Sequence, residues 1–120
     1  MALIFVLDDQ EDACQLMRRI LSDAGHRAET FTDPGEAMEW LRTNSPQLAL
    51  LDFKPKRSGG LDIIRYIRTS RPEIKTMLIT SSPSAEVEKQ ARELGFEDYL
   101  IKPLGIDEIE RHINKALGLS

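Results

Sequence analysis

The sequence predicts a doubly wound α/β fold, (βα)5, in which five strand-helix units in strict alternation build a five-stranded parallel sheet with helices on both faces. Three observations carry this. Leu3 to Leu7 is an unbroken apolar run, and Gln47 to Leu51 and Thr76 to Ile79 repeat the pattern, that of central strands covered on both sides. Between the runs, apolar residues recur at helical spacing. Glycine, proline and capping residues punctuate each change of pattern.

Taken in order, Leu3 to Leu7 is the first strand, and Ala13, Leu16, Met17, Ile20, Leu21 and Ala24 form the apolar stripe of the first helix, which Gly25 stops. Arg27 to Phe31 alternates as a half-exposed strand does. Asp33-Pro34-Gly35-Glu36 then supplies an N-cap, a helix-opening proline and a capping-box acid for a second helix through Trp40 and Leu41. Trp40 and the other aromatics are read as core or helix-sheet packing. After the strand at Gln47 to Leu51, Leu61, Ile63, Ile64 and Ile67 carry a third helix up to Arg71-Pro72. Following Thr76 to Ile79, Ser84 caps a fourth helix whose stripe is thin, only Val87, Ala91 and Leu94, so that helix is loosely held. Past Gly95, the short Tyr99 to Ile101 strand leads to a fifth helix with Ile106, Ile109, Ile113, Ala116 and Leu117 on one face.

Residues 1–120 have the length of one ordinary domain, able to bury a core without disulfides or a structural metal. With 41% apolar and 30% charged residues the chain is too apolar for disorder. The opening apolar run lacks a basic leading segment and meets Asp8-Asp9-Gln10-Glu11-Asp12 at once, which fits neither a secretory leader nor a membrane span. A cytoplasmic location away from membranes is expected. The single Cys14 is read as a half-buried structural thiol beside the first helix's stripe. A net charge of -4 repels phosphate backbones and argues against nucleic-acid binding. The basic run Lys54-Pro55-Lys56-Arg57 is read as a solvated loop.

In an open parallel sheet, ligands bind outside the carboxyl ends of the strands, where strand order reverses. The residues there are Asp8 and Asp9 after the first strand, Asp52 after the third, Thr80 after the fourth and Lys102 after the fifth. Other adjacent acidic pairs, such as Glu11-Asp12 and Glu97-Asp98, belong to solvated faces. Asp8-Asp9 differs by ending a buried strand on the same sheet edge as Asp52, where three carboxylates repel unless a cation joins them. An all-oxygen site of that size suits Mg²⁺. A carboxylate nucleophile, a divalent cation, an ammonium and a hydroxyl are together the parts that in-line phosphoryl transfer to an aspartate requires.

From end to end the chain resembles a response-regulator receiver (CheY-like) domain of two-component signalling systems. Ile4 to Asp9 matches the acid-pair strand, Leu48 to Asp52 the phosphoacceptor strand, and Gly60-Leu61 the opening of the third helix. Met77 to Ser81 matches the switch-threonine strand, and Gly95 to Pro103 the aromatic-switch and lysine segment. The resemblance implies a flavodoxin-like sandwich of strand order 2-1-3-4-5. It implies that Asp52 attacks the phosphohistidine of a sensor histidine kinase or a histidine phosphotransfer protein, with Lys102 and Thr80 assisting. Asp9, Asp52 and the backbone carbonyl of Lys54 would ligate Mg²⁺ directly, and Asp8 through water. Lys102 would neutralise phosphoryl oxygens, while the Thr80 hydroxyl and the Ser81 backbone would hydrogen-bond the product. A pull on Thr80 would let Tyr99 turn inward and remodel the surface of the fourth helix, fifth strand and fifth helix for a downstream protein or fused output domain. The Lys102-Pro103 peptide would be cis.

The match departs after Asp52: the family's usual proline four residues on is replaced by Lys56, with Pro55 one position early. Lys54 would lean over the phosphoryl group and shield it from water. A rival reading is a phosphorylation-independent interaction module, supported by that irregular loop alone. An aspartyl-phosphate hydrolase would want a general acid two residues after the nucleophile, where Lys54 stands, so the chain is read as a signalling domain and not an enzyme. An FMN protein fails on charge, because its phosphate loop would be the acidic segment after Leu7.

Overall fold

Parallel pairing joins the strands in the order β2-β1-β3-β4-β5, so strand order reverses between β1 and β3 as the sequence implies. The computed structural model describes residues 1–52 and 60–119. Along them run β1 (Leu3–Leu7), α1 (Glu11–Asp23), β2 (Arg27–Phe31), α2 (Pro34–Thr43), β3 (Leu48–Asp52), α3 (Gly60–Ser70), β4 (Lys75–Thr80), α4 (Ala85–Glu93), β5 (Asp98–Ile101) and α5 (Ile106–Ala116).

Alternation along each strand divides the core in two. Phe5, Leu51 and Leu78 face α2, α3 and α4, whereas Val6, Leu50 and Ile79 face α1 and α5. On the first side Phe5, Phe31 and Trp40 form a ring cluster with centroids 5.4 to 5.9 Å apart, which gives Trp40 the packing role expected of it. The register pairs Leu7 with Leu51, Asp52 with Ile79 and Thr80 with Ile101, so the strands end together along one edge of the sheet.

The punctuation acts as read. Asp33 accepts the Glu36 N–H at 2.9 Å at the start of α2, and Ser84 accepts the Val87 N–H at 3.1 Å at the start of α4. Gly95 sits after α4 at φ +81°, where an added Cβ would also lie 2.9 Å from the Arg68 guanidinium.

Three stripe residues, Leu16, Ala24 and Ile106, are exposed against expectation. Leu16 is 57% exposed and Cys14 only 1%, because the buried face of α1 runs through Cys14 and Leu21. Leu16, two residues from Cys14, stands about 200° around the helix from it. Cys14 is therefore a core residue rather than a half-buried one. Ile106 is 55% exposed: it opens α5, and helical side chains lean toward the N-terminus, past the covering sheet.

Thr76 is fully buried in β4, and its hydroxyl has no hydrogen-bond partner among the described residues. Thr76→Val keeps the branched shape and removes the desolvated hydroxyl, so it is expected to raise stability by about 1 kcal/mol. A higher urea midpoint at unchanged slope is the expected result, and a lower midpoint would mean that the hydroxyl is bonded in solution.

Candidate functional site

One ammonium group ties the strand ends together. Lys102 follows β5, and its backbone N–H donates to the Thr80 carbonyl at 2.8 Å, which fixes it beside the end of β4. Its Nζ then lies 2.8 Å from Asp8 Oδ2 and 3.1 Å from Asp52 Oδ2. The Lys102-Pro103 peptide is cis, as expected. Asp8 is buried and held on all sides: its N–H donates to the Phe31 carbonyl at 3.0 Å and its Oδ1 accepts the Gln10 N–H at 2.9 Å.

Asp8, Asp9 and Asp52 each offer a carboxylate oxygen, and these atoms lie within 4.8 Å of one another. Asp52 Oδ1 is buried without a hydrogen-bond partner among the described residues. Burial, and then the charge of Asp8, push the Asp52 carboxyl above its usual pKa against the pull of Lys102. Burial also works against the Lys102 ammonium, but its hydrogen bonds and charge pairing with Asp8 and Asp52 outweigh that and hold it above its usual value. Among the described residues the carboxylates of Asp8, Asp9 and Asp52, with the buried Oδ1 of Asp52 as a spare acceptor, make an oxygen-only donor set that fits a small hard dication such as Mg²⁺.

The other site residues divide. Thr80 is fully buried at the end of β4, where its hydroxyl accepts the Ser82 N–H at 3.0 Å, and exposed Ser81 borders the same cavity as Asp52 and Lys102. Tyr99 stands apart on β5, half-buried against the α3 and α4 side of the core, its hydroxyl shielded and without a partner among the described residues. Lys54, with the Pro55 and Lys56 substitution, lies outside the described residues.

Sequence reasoning missed two contributors. The Gln10 amide orients Asp8, and the Cys14 thiol donates to the Asp8 carbonyl at 3.3 Å, clamping the end of β1. Cys14, Met17 and Leu21 share one helical face, and reading that face as the buried one would have put the thiol behind Asp8.

Residues 4–114 match the family model described as the response regulator receiver domain. The chain belongs to that family. This receiver domain is 29% identical over 115 residues to the transcriptional regulatory protein ZraR of Klebsiella oxytoca, an alignment covering 96% of the chain and 26% of ZraR. It is 29% identical over 106 residues to the response regulator MprA of Mycobacterium sp. (strain KMS), covering 88% of the chain and 46% of MprA. The chain thus spans between a quarter and a half of the length of these relatives. In fold it superposes on a CheY-like response regulator receiver domain protein from Methanospirillum hungatei JF-1 with a TM-score of 0.92 at 23% identity, over 98% of this chain and 94% of the other.

A receiver domain is the signalling module of a two-component response regulator, and such domains generally bind Mg²⁺ in an acidic pocket; Asp8, Asp9 and Asp52 form an acidic cluster here. No helix among the described residues is long and apolar enough to cross a membrane.

Proposed function

We propose that Asp52 is the phosphoacceptor of this receiver domain and takes its phosphoryl group from a phosphohistidine on a sensor histidine kinase or histidine phosphotransfer protein. The observation that carries the reading is the Asp52 carboxylate itself: largely buried at the edge of a cavity, without a partner at Oδ1 among the described residues, and held by Lys102 at Oδ2 beside two further acids. A carboxylate oxygen of Asp52 bonds to phosphorus as the P–N bond to the imidazole breaks, and the imidazole leaves with the bonding pair. Lys102 donates to a phosphoryl oxygen, and the Thr80 hydroxyl and Ser81 backbone hold another. Mg²⁺, when bound by Asp8, Asp9 and Asp52, supplies the positive charge that draws the phosphoryl group to this acidic edge. Asp8 Oδ1 and Oδ2 are already engaged by Gln10 and Lys102, which favours contact with the metal through water.

Residues 1–120 act as one receiver domain that assists its own phosphotransfer and dephosphorylation and catalyses nothing else. Its output passes through the α4, β5 and α5 surface, with Tyr99 as the responding side chain, to a downstream protein or fused output domain. The net charge of -4 supports a protein rather than a nucleic acid as its direct partner, in the cytoplasm where kinase and donor are found.

Treatment with a small acyl-phosphate donor, followed by mass spectrometry, tests this. One phosphoryl group is expected, on Asp52, only with Mg²⁺ present, and Asp52→Asn abolishes it. Labelling elsewhere, or undiminished in chelator, sinks the assignment.

A further inference from the structure

Leu7 is the last residue of β1 that pairs with β2 and β3, and the loop beyond it leads into α1. Three hydrogen bonds close a ring across that loop. The Gln10 N–H donates to Asp8 Oδ1 at 2.9 Å, the Cys14 N–H donates to the Gln10 carbonyl at 3.1 Å, and the Cys14 thiol donates to the Asp8 carbonyl at 3.3 Å. The sulfur lies against two carbonyl oxygens, that of Asp8 and, at 3.6 Å, that of Phe31; neither carries a hydrogen, so the thiol is the donor.

Asp9 sits inside this ring. A peptide unit is planar, so holding its carbonyl or its N–H holds the whole unit. The unit before Asp9 is held through the Asp8 carbonyl by Cys14, and the unit after it through the Gln10 N–H by Asp8. With both planes set, φ and ψ at Asp9 are set, and so is the direction in which its side chain leaves the backbone. That side chain is one of the three whose carboxylate oxygens lie within 4.8 Å of one another. Cys14 supplies a fixed point for the ring, since it is buried in the core and its own N–H is engaged within α1's first turn.

We infer that Cys14 is a positioning residue of the acidic site: its thiol holds the peptide between Asp8 and Asp9 so that the Asp9 carboxylate stays within reach of Asp8 and Asp52, and it thereby sets the affinity for Mg²⁺. The consequence for Mg²⁺ rests on the reading of this edge as the metal site, whereas the held peptide rests on the ring of hydrogen bonds alone. Partners that orient metal ligands are worth about 10- to 100-fold in affinity, and a thiol, as a weak donor, belongs at the lower end.

Cys14→Val and Cys14→Ala in the intact chain test the inference, because both remove the donor while valine fills the space of the thiol and alanine leaves a void. Both are expected to raise the Mg²⁺ dissociation constant about tenfold, read by titration calorimetry, and to move the Asp9 and Gln10 amide signals in chelator. The urea midpoint falls further for alanine than for valine, so the metal defect does not follow stability. With a single cysteine in the chain, the infrared S–H stretching band belongs to Cys14 alone, and it is expected below that of an alkanethiol in hydrocarbon solvent. A valine variant that binds Mg²⁺ as tightly as the parent, a metal defect that scales with the loss of stability, or an S–H band at the free-thiol position overturns the inference. Failure of the parent to bind Mg²⁺ overturns the metal assignment instead, and the S–H band with the amide signals in chelator then decides whether the thiol holds the peptide.

Discussion

Lys102→Met is expected to cost the metal-free protein about 2–3 kcal/mol at neutral pH, at or below the bottom of the range of about 3–5 kcal/mol for breaking a buried charge pair. Lys102 keeps 29% of its side-chain surface, so solvent screens part of the loss, but Asp8 and Asp52 are left at 9% and 3% with their shared cation gone. Methionine preserves the apolar stem and isolates the charge. The pH dependence follows from the direction of each shift. Lys102 has a folded pKa raised above 10.5, so its contribution is complete below that value and is lost as pH rises through the folded pKa. Asp52 is an acid with a raised folded pKa, so its burial cost is full above the folded value and is relieved as pH falls through it toward 3.8. Without Lys102 the Asp52 carboxyl takes up its proton more readily, and the variant's deficit shrinks on acidification. Urea unfolding in chelator at pH 7 and pH 5 checks both points. A variant as stable as the parent at both would show that the Lys102 ammonium points to solvent.

The elements of the fold were legible because each carries its own local pattern, and the structure moves their ends by only a residue or two. The third strand runs from Leu48 to Asp52, one position later than its apolar run, because Asp52 still pairs with Ile79 after the apolar residues end. Strand order was not legible from periodicity and entered through the family resemblance. The burial errors in α1, Leu16 and Cys14, share one cause. Helical spacing locates a face only to within about one residue step of 100°, and the choice between the Leu16 side and the Cys14 side of α1 is made by the sheet it lies on. At the site, the identities of Asp8, Asp9, Asp52, Thr80 and Lys102 could be read from their positions at strand ends. What sequence could not supply was the pairing: that Lys102 bridges Asp8 and Asp52, that Gln10 occupies the second oxygen of Asp8, and that Thr80 receives the Ser82 amide. Each depends on a loop following a strand, where no periodicity governs the backbone.

Those loop contacts define the second large effect. Phosphorylation of Asp52, or its beryllofluoride mimic with Mg²⁺, is expected to release the Ser82 amide and spread from there through α4 and β5. Ser82 N–H now donates to the Thr80 hydroxyl oxygen at 3.0 Å. A phosphoryl oxygen on the neighbouring strand end offers that hydroxyl an anionic acceptor, a stronger partner than a neutral group. Turning toward it moves the oxygen away from Ser82. Two residues on, Ser84 caps α4 through the Val87 N–H, so displacement of this loop reaches a helix whose buried residues are only Val87 and Ala91. Tyr99 packs against the same core, its shielded hydroxyl without a partner among the described residues. The loss of one hydrogen bond of about 1 kcal/mol corresponds to roughly fivefold faster exchange at Ser82. Amide hydrogen exchange with and without the mimic should therefore show that change at Ser82 and altered rates across residues 82 to 101, with β2 and α2 unaffected. Thr80→Val should still bind the mimic but leave α4 and β5 at their resting rates. Changes confined to the Asp8 and Asp52 strand ends in the parent, or an identical spread in Thr80→Val, would show that the signal does not leave the site through Thr80.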